Sequence, residues 1–189
     1  MGCLLAVRRC ELDQQKGAPM KFFDRLTGTK RPAIGVPAKT RAEVRADLLA
    51  VNRPTVPFIV QDGAPENVDL VAEWRIVNAT WYEFFAKASL KKVFKVLIKL
   101  DELAREVRAV DQEWSVEWRA GVPILSLAAN AFRGQTKKFS FGTAFAFTKR
   151  GSFGEVYRYQ FSTAEIKTPL QDAVTKAGWV WRGVSSGKL

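Results

Sequence analysis

Residues 91–119 read KKVFKVLIKLDELAREVRAVDQEWSVEWR, and the fold depends on whether this stretch is one helix or two strands. A helix would gather Lys91, Lys95 and Lys99 on one face, which is typical of a basic amphipathic helix. Two strands would instead place alternate residues on opposite faces of a sheet. The alternating apolar positions are Phe94, Val96, Ile98 and Leu100 in the first half, and Val110, Trp114, Val116 and Trp118 in the second.

The match between the two halves favours the strand interpretation. If the connecting loop centres near Leu103, Val96 falls opposite Val110. At the same register Lys95 falls opposite Asp111, so apolar and charged residues are matched together. A single helix would not need that agreement. We therefore predict a β-hairpin, whose two strands belong to an antiparallel sheet.

A second pattern of period two lies further along the chain. From Phe139 to Thr148 large side chains alternate with small ones, which fits a β-strand and no helix. Aromatic residues alternate again from Tyr157, and pairing Phe147 with Tyr157 aligns both sets on one face. We predict a second hairpin here. The same register pairs Phe145 with Tyr159 and Thr143 with Phe161.

Three segments carry helix signals. Thr40 and Glu43 form a capping-box pattern, in which a hydroxyl and a carboxylate each satisfy a backbone N–H of the first turn. Apolar spacing of three and four predicts a short helix over residues 81–88. A C-terminal helix is predicted over residues 169–177, with Gly178 as the residue that ends it. Its two candidate capping pairs are Ser162 with Glu165 and Thr168 with Gln171.

Shorter strands complete the sheet. They are predicted at residues 57–60, 70–76, 125–132 and 179–181. The fold class is therefore α+β: a curved antiparallel sheet of about six to eight strands, with a short inserted helix and a C-terminal helix. Seven strands followed by a helix is similar to the element order of PH-like folds, which would make the sheet a partly closed barrel. That comparison rests on element order alone.

The chain has 189 residues, which suits one domain of ordinary size. Residues 24–40 mix Gly and Pro with Lys, Arg and Thr, a composition that is typical of a flexible segment. We therefore predict a flexible basic N-terminal extension over residues 1–38 and a single α+β domain over residues 39–189. The formal net charge of +11 favours partners that are acidic.

Composition excludes several classes of protein. The chain has no histidine, so it lacks the usual proton shuttle at neutral pH and the commonest metal ligand. Its two cysteines, Cys3 and Cys10, are too few for a zinc site and suit a reducing compartment, so we predict a cytoplasmic location. No apolar stretch approaches the roughly 18 residues of a membrane span. We predict no cofactor and leave the oligomeric state open.

The leading functional hypothesis rests on the tryptophans. A curved sheet packed by a helix can leave an apolar cleft lined by indole rings, which would bind a small apolar ligand or a protein partner. An exposed sheet edge could bind a protein partner in the same way. We predict a non-catalytic module of this kind, although core packing also explains these residues. The candidate lining residues are Trp74, Trp114, Trp118 and Trp181.

The first alternative is a binder of nucleic acid or another polyanion. Lysines on the first strand of the hairpin, together with a basic pair after the phenylalanine strand, would supply the positive surface. A solvated strand face explains the same lysines without a ligand. The candidate residues are Lys91, Lys95, Lys99, Lys149 and Arg150.

The second alternative is a hydrolase that uses a metal ion. Asp111, Glu113 and Glu117 would project from one face of a strand, and clustered carboxylates can hold Mg²⁺ for phosphodiester chemistry. Pairing with the lysines of the neighbouring strand is the ordinary explanation of such a cluster. The sequence therefore favours a protein that is not an enzyme.

Overall fold

The computed structural model describes residues 28–76, 91–127, 133–135, 140–147, 157–185 and 189. Within these residues the chain is an α+β fold with a mixed sheet of six strands and a two-residue seventh, and a separate two-stranded sheet. The helices are α1 (Arg41–Leu49) and α2 (Thr163–Lys176). The strands are β1 (Phe58–Asp62), β2 (Leu70–Trp74), β3 (Lys92–Asp101), β4 (Glu106–Arg119), β5 (Val122–Ser126), β6 (Arg133–Gly134), β7 (Ser140–Phe147), β8 (Tyr157–Ser162) and β9 (Val180–Gly183).

Strand β4 is the centre of the main sheet. Strand β3 pairs with it along one edge, and β2 and β1 follow in that order. Three short strands occupy its other edge in succession: β9 in parallel at residues 106–109, β6 at 111–112 and β5 at 115–119. The described strands leave the sheet open, because no pairing joins β1 to the far edge. A partly closed, PH-like barrel is therefore not confirmed.

The hairpin of β3 and β4 confirms the strand interpretation of this part of the chain. Its predicted register is wrong by one residue, because Val96 lies opposite Asp111, and Leu97 lies opposite Val110. The loop has four residues, Glu102 to Arg105. Its centre therefore lies between Leu103 and Ala104, whereas the prediction placed it at Leu103. Val96 and Leu97 are both buried, so apolar burial does not distinguish the two registers.

The hydrophobic core lies between the helices and one face of the main sheet. Helix α1 packs on α2 and contacts β1 and β3, and α2 contacts β9. Each helix buries apolar residues four positions apart, as expected of an amphipathic helix. These residues are Val44 and Leu48 of α1, and Ile166, Leu170 and Val174 of α2. The largest fully buried side chains are Trp179, Trp181, Phe58 and Phe94.

Helix α1 begins with the predicted capping box. The backbone N–H of Thr40 donates to Glu43 Oε2 at 2.9 Å, and the backbone N–H of Glu43 donates to Thr40 Oγ1 at 3.4 Å. The Thr40 hydroxyl also donates to Glu43 Oε2 at 2.7 Å. These bonds favour the ionised carboxylate and hold the pKa of Glu43 below its usual value. The prediction of a helix start at this point is confirmed.

Helix α2 is longer than predicted. It begins at Thr163, and Pro169 lies inside it instead of in its first turn. The prediction placed the start at Pro169 because proline removes a backbone donor and is favoured at that position. Burial of Ile166 one turn earlier, on the same stripe as Leu170, accompanies the longer helix. The predicted start of this helix is therefore wrong by two turns.

The end of α2 agrees with the sequence. Gly178 has φ of +75°, its N–H donates to Thr175 O at 3.1 Å, and the N–H of Trp179 donates to Val174 O at 3.1 Å. This pair of bonds is the Schellman motif, which satisfies the last carbonyls of a helix. Strand β9 follows at the position where the sequence predicted a closing strand or a packed tail, one residue later than predicted. It pairs in parallel with β4, so the sheet is mixed and the prediction of a purely antiparallel sheet is wrong.

Strand β5 begins at Val122, three residues before the predicted start. Ala120 and Gly121 have φ of +48° and +82°, so they form a two-residue turn of type I′ between β4 and β5. The sequence around this turn lacks the Asn or Asp that normally marks it. The prediction missed the hairpin for that reason.

The phenylalanine hairpin is confirmed in part. Phe147 pairs with Tyr157 and Phe145 with Tyr159, as predicted. The register then shifts, so that Phe161 pairs with Phe141 and not with Thr143. Between these pairs β7 therefore contains two residues more than β8. The helix predicted over residues 81–88 lies outside the described residues.

The predicted N-terminal extension is described from residue 28 onward, and this part contacts the domain. Lys30 and Trp181 exchange two backbone hydrogen bonds of 2.9 Å, and Trp179 Nε1 donates to Lys39 O at 2.8 Å. Lys39 N also donates to Ala177 O. The division of the chain at residue 38 stays a prediction. Among the helices that the structure describes, none has the length and apolar character needed to cross a membrane.

Candidate functional site

The four candidate tryptophans do not occupy equivalent positions. Trp74 and Trp181 are 5% and 0% exposed and belong to the hydrophobic core, where the ring of Trp74 meets Phe94 edge-on at 5.9 Å. Trp114 and Trp118 are partly buried and pack against the same core. These are positions that core packing explains. An aromatic cleft stays a prediction.

The candidate lysines of β3 also differ from one another. Lys95 lies 2.8 Å from Glu73 Oε2 and 3.6 Å from Glu66 Oε1, and its ammonium stands over the ring of Trp114 at 4.6 Å from the centroid. Its charge is therefore compensated. Lys91 and Lys99 are exposed. The basic pair Lys149 and Arg150 lies outside the described residues.

The candidate metal ligands are held apart along β4. They span seven residues of one strand, which corresponds to about 20 Å between the first and the last. Each is paired with a cation: Asp111 with Lys167 at 2.6 Å, Glu113 with Lys92 at 2.8 Å, and Glu117 with Arg119 at 3.1 Å. The described residues contain no group of three His, Cys, Asp or Glu side chains that could hold a metal ion. A metal-dependent hydrolase stays an untested prediction.

A buried polar cluster joins α2 to the sheet. Lys167 Nζ lies 2.6 Å from Asp111 Oδ2 and 3.3 Å from Gln135 Oε1, and Asp111 is fully buried. Gln135 Nε2 in turn donates to Ala109 O at 2.7 Å and to Val184 O at 3.2 Å. The sequence gives no local signal for these contacts, because the three side chains come from distant segments.

Strand β5 carries the exposed apolar surface of the described chain. Its side chains Val122, Ile124 and Leu125 are 58%, 41% and 37% exposed, and the next apolar residue, Leu127, is 42% exposed. Leu125 and Leu127 share one face of the strand, while Val122 and Ile124 share the other. Apolar side chains are therefore exposed on both faces of one strand.

The backbone of β5 is an edge. In a two-residue hairpin the pair that closes the turn exchanges hydrogen bonds, so Val122 and Ile124 face β4 while Pro123 and Leu125 face outward. Pro123 has no N–H, so the outward side offers the N–H of Leu125 and the carbonyls of Pro123 and Leu125. No described strand pairs with this side. Proline inside a strand is typical of edges, and this signal was present in the sequence.

Cations border the apolar strand. Arg119 lies directly opposite Val122, and its side chain is 67% exposed although it is paired with Glu117. Val116 of β4 lies between Lys91 on one side and Leu125 of β5 on the other. Lys91 is therefore about 10 Å from Leu125 across the sheet. Lys91 has no ion pair with any residue that the structure describes. Glu117 lies opposite Ile124 and offsets Arg119, so among these three residues Lys91 leaves one net positive charge beside β5.

Two shallow cavities lie at the other end of β4, on either side of Arg108. One has a volume of about 400 Å³ and is lined by Glu106, Arg108, Arg182 and Val184. The other, of about 460 Å³, is lined by Lys99 and Arg41 among other residues. Both lie within the usual volume range of small-molecule sites. The sequence pattern indicates Lys99 as a candidate but neither arginine of the first cavity.

The arrangement leaves two separate candidate surfaces, the apolar edge of β5 and the charged face around Arg108. Among the described residues, neither surface contains a nucleophile paired with a base. Comparison of the chain with models of known families, with curated proteins and with solved structures finds no match.

Proposed function

We propose that this protein is a non-catalytic module that binds an extended segment of a partner protein as an additional strand along β5. The observation that carries the proposal is the exposure of Val122, Ile124 and Leu125 of β5 and of Leu127 just after it, at an edge of the described sheet. Isolated exposed apolar residues are normal, but a contiguous group on an unpaired edge is typical of an interaction site. Strand addition satisfies such an edge with main-chain hydrogen bonds.

The backbone groups on the outward side of β5 determine which hydrogen-bonding groups a partner must supply. The carbonyls of Pro123 and Leu125 need donors, and the N–H of Leu125 needs an acceptor. An extended segment supplies both kinds of group at alternate positions. Apolar side chains on that segment would cover Leu125 and Leu127 on one face and Val122 and Ile124 on the other. The proline makes the site less able to pair with strands at random, because it offers one donor fewer.

Charge distinguishes an acidic partner from a second copy of this chain. Lys91 and Arg119 border the strand, and the whole chain carries a formal charge of +11. Two copies would repel each other, whereas a segment with Asp or Glu beside its apolar residues would be attracted. A contact of this length is well below the roughly 1,200 Å² of stable interfaces, so the complex is expected to be transient.

The proposals for the protein's location and for the absence of a cofactor rest on the sequence. Cys3 and Cys10 are the only cysteines of the chain, which suits a reducing compartment, and we propose that the module works in the cytoplasm without a cofactor. The similarity to PH-like folds stays a prediction from element order and does not support this proposal.

A display library of short random peptides, selected on the full chain, tests the proposal. Peptides that bind the wild type are counter-selected on the Leu125→Pro variant. That variant removes the one outward N–H but no bond to β4. We expect the surviving pool to alternate apolar residues with Asp or Glu. Fluorescence anisotropy of one selected peptide should then show binding to the wild type and a loss of about tenfold or more for the Leu125→Lys variant.

Leu103→Lys is the matched control. Leu103 is fully exposed in the loop between β3 and β4, so the same change of side chain occurs away from β5. This variant should bind the peptide as the wild type does. Circular dichroism checks that each variant is folded. If no peptide pool distinguishes wild type from Leu125→Pro, or if Leu103→Lys weakens binding as much as Leu125→Lys, the edge of β5 is not the binding site.

A further inference from the structure

Three cations form a row across three neighbouring strands, far from β5. Lys99 of β3 lies directly opposite Arg108 of β4, and Arg108 lies directly opposite Arg182 of β9. Residues that are directly opposite share one face of a sheet, so the outer two lie about 10 Å apart with Arg108 between them. Like charges in this position destabilise a sheet. The row therefore needs an explanation.

Two carboxylates on the same face fix the arginines. Glu106 is buried, with 7% of its surface exposed, and its two oxygens accept from Nε of Arg108 at 3.2 Å and from Nε of Arg182 at 2.7 Å. Asp101 accepts from Nη2 of Arg108 at 3.1 Å. Three cations face two carboxylates, so one positive charge is left uncompensated. Arg182 is held by Nε, and Arg108 is held by Nε and Nη2.

These ion pairs leave the outer donors available. Nη1 of Arg108 and both Nη atoms of Arg182 have no hydrogen-bond partner among the described residues, and Lys99 Nζ has no ion pair there. The Arg108 and Arg182 side chains are 38% and 43% exposed, so solvent and ligands can reach them. A planar guanidinium presents its donors in a fork that matches the oxygens of a phosphate group, and lysine adds a point charge.

The two cavities supply room for the rest of a ligand. Arg108 lines both, so a phosphate group above Arg108 could extend its organic part to either side. The first cavity also contains Val184, an apolar surface for that part. The second contains the exposed Leu103 but also the carboxylates of Asp101 and Glu102, so the first cavity suits a ligand with a phosphate group better. Both cavities are open to solvent, so the organic part of a ligand would lie against the protein surface.

We infer that the face formed by Lys99, Arg108 and Arg182 is a binding site for a phosphate monoester of a small organic molecule. This site is independent of the peptide site at β5, because it lies at the opposite end of β4. Failure of one proposal therefore leaves the other unaffected. A continuous nucleic-acid track is less favoured, since Lys95, the next lysine of this face, is already paired with Glu73.

Isothermal titration of the full chain with inorganic phosphate and with phenyl phosphate tests this inference. We expect both to bind, with phenyl phosphate the tighter because its ring reaches a cavity. Arg182→Gln should weaken binding by about tenfold or more, since it removes a charged donor. Lys99→Gln should weaken it as well. This variant breaks no described ion pair, so its effect cannot come from loss of one.

Arg53→Gln is the matched control, because Arg53 is an exposed arginine in the loop after α1. It should leave both affinities unchanged, and Arg182→Lys should restore part of the affinity that Arg182→Gln loses. Absence of binding by the wild type would overturn the inference, as would equal losses in Arg53→Gln and Arg182→Gln. Tight, salt-sensitive binding of a single-stranded oligonucleotide, with no binding of phenyl phosphate, would overturn it in favour of a polyanion site.

Discussion

Gly178 stands where the end of α2 meets the segment that precedes α1. Its φ of +75° belongs to the left-handed region, which side chains other than glycine adopt at a cost of about 1–2 kcal/mol. A Cβ at this position would also lie 2.5 Å from Pro37 O and 2.7 Å from Ala38 Cα. Both atoms belong to the backbone, so they cannot turn aside. Two independent constraints therefore require glycine here.

Gly178→Ala should destabilise the protein by about 2–4 kcal/mol, which is the sum of the left-handed conformation and the forced contact. Urea unfolding followed by circular dichroism measures the change. Gly35→Ala is the control: Gly35 has φ of +87°, but a Cβ there would meet no atom within 4 Å. Its cost should be limited to about 1–2 kcal/mol. Equal costs for the two variants would show that the contact with Pro37 contributes nothing.

At the scale of elements, local signals in the sequence were sufficient to predict three features: the start of α1, the hairpin of β3 and β4, and the end of α2. The capping box of Thr40 and Glu43 identified the start of α1, because both partners lie within one turn. The alternation in residues 91–119 identified a hairpin, because the period of two is a property of the strand itself. Gly178 identified the end of α2 for the same reason. Each of these features depends on residues that are close in sequence.

Other properties of the elements depend on packing. The register of β3 and β4 was off by one, because Val96 and Leu97 are both buried and either can face the core in a sequence argument. The start of α2 was placed too late, because burial of Ile166 is decided by other segments of the chain. The register shift between Phe141 and Phe145 left no sign in the alternation.

The turn between β4 and β5 provides a test at this scale. Ala120 has φ of +48° in a type I′ turn, whose preferred sequence is Asn-Gly. Ala120→Asn should therefore stabilise the protein by about 0.5–1 kcal/mol. Thermal unfolding should show a higher midpoint. Ala104→Asn, in the loop between β3 and β4, should bring no such gain because Ala104 lacks a positive φ. An unchanged or lower midpoint for Ala120→Asn would contradict the turn assignment.

At the scale of the whole molecule, one buried ion pair connects α2 to the centre of the sheet. Lys167 and Asp111 are 56 positions apart in sequence, and Gln135 extends the connection to β9 through Val184. A buried pair is costly to break, because the remaining charge has lost its water and its partner. The sequence contained no sign of this connection.

Lys167→Met should destabilise the protein by about 3–5 kcal/mol, because Asp111 would keep a buried charge without its cation. Denaturant unfolding measures the loss. The control is Arg45→Met, which removes an exposed partner of Asp62 and should cost about 1 kcal/mol or less. In the double variant Asp111→Leu with Lys167→Met, most of the stability should return. A single variant as stable as Arg45→Met would show that the pair is not buried in solution.

The candidate sites also belong to the whole molecule. The sequence predicted a strand near Leu125 and an exposed edge as one possible site, but exposure of Val122 and Ile124 depends on which segments cover them. Lys99 was selected from its place on β3, whereas Arg108 and Arg182 become neighbours only when β9 pairs with β4. The types of residue could be predicted, but their grouping required the tertiary structure.

One edge of strand β4 obtains its partner late during synthesis. Residues 106–109 pair with β9, so this part of its edge has no partner until Gly183 has been translated. At roughly 5–20 residues per second, addition of the intervening chain takes several seconds. Glu106 and Arg108 alternate with Val107 and Ala109 along the waiting edge, and charges on an edge strand oppose pairing with other chains. Glu106 and Arg108, which line a cavity in the finished protein, are therefore the charges on this edge before β9 is made.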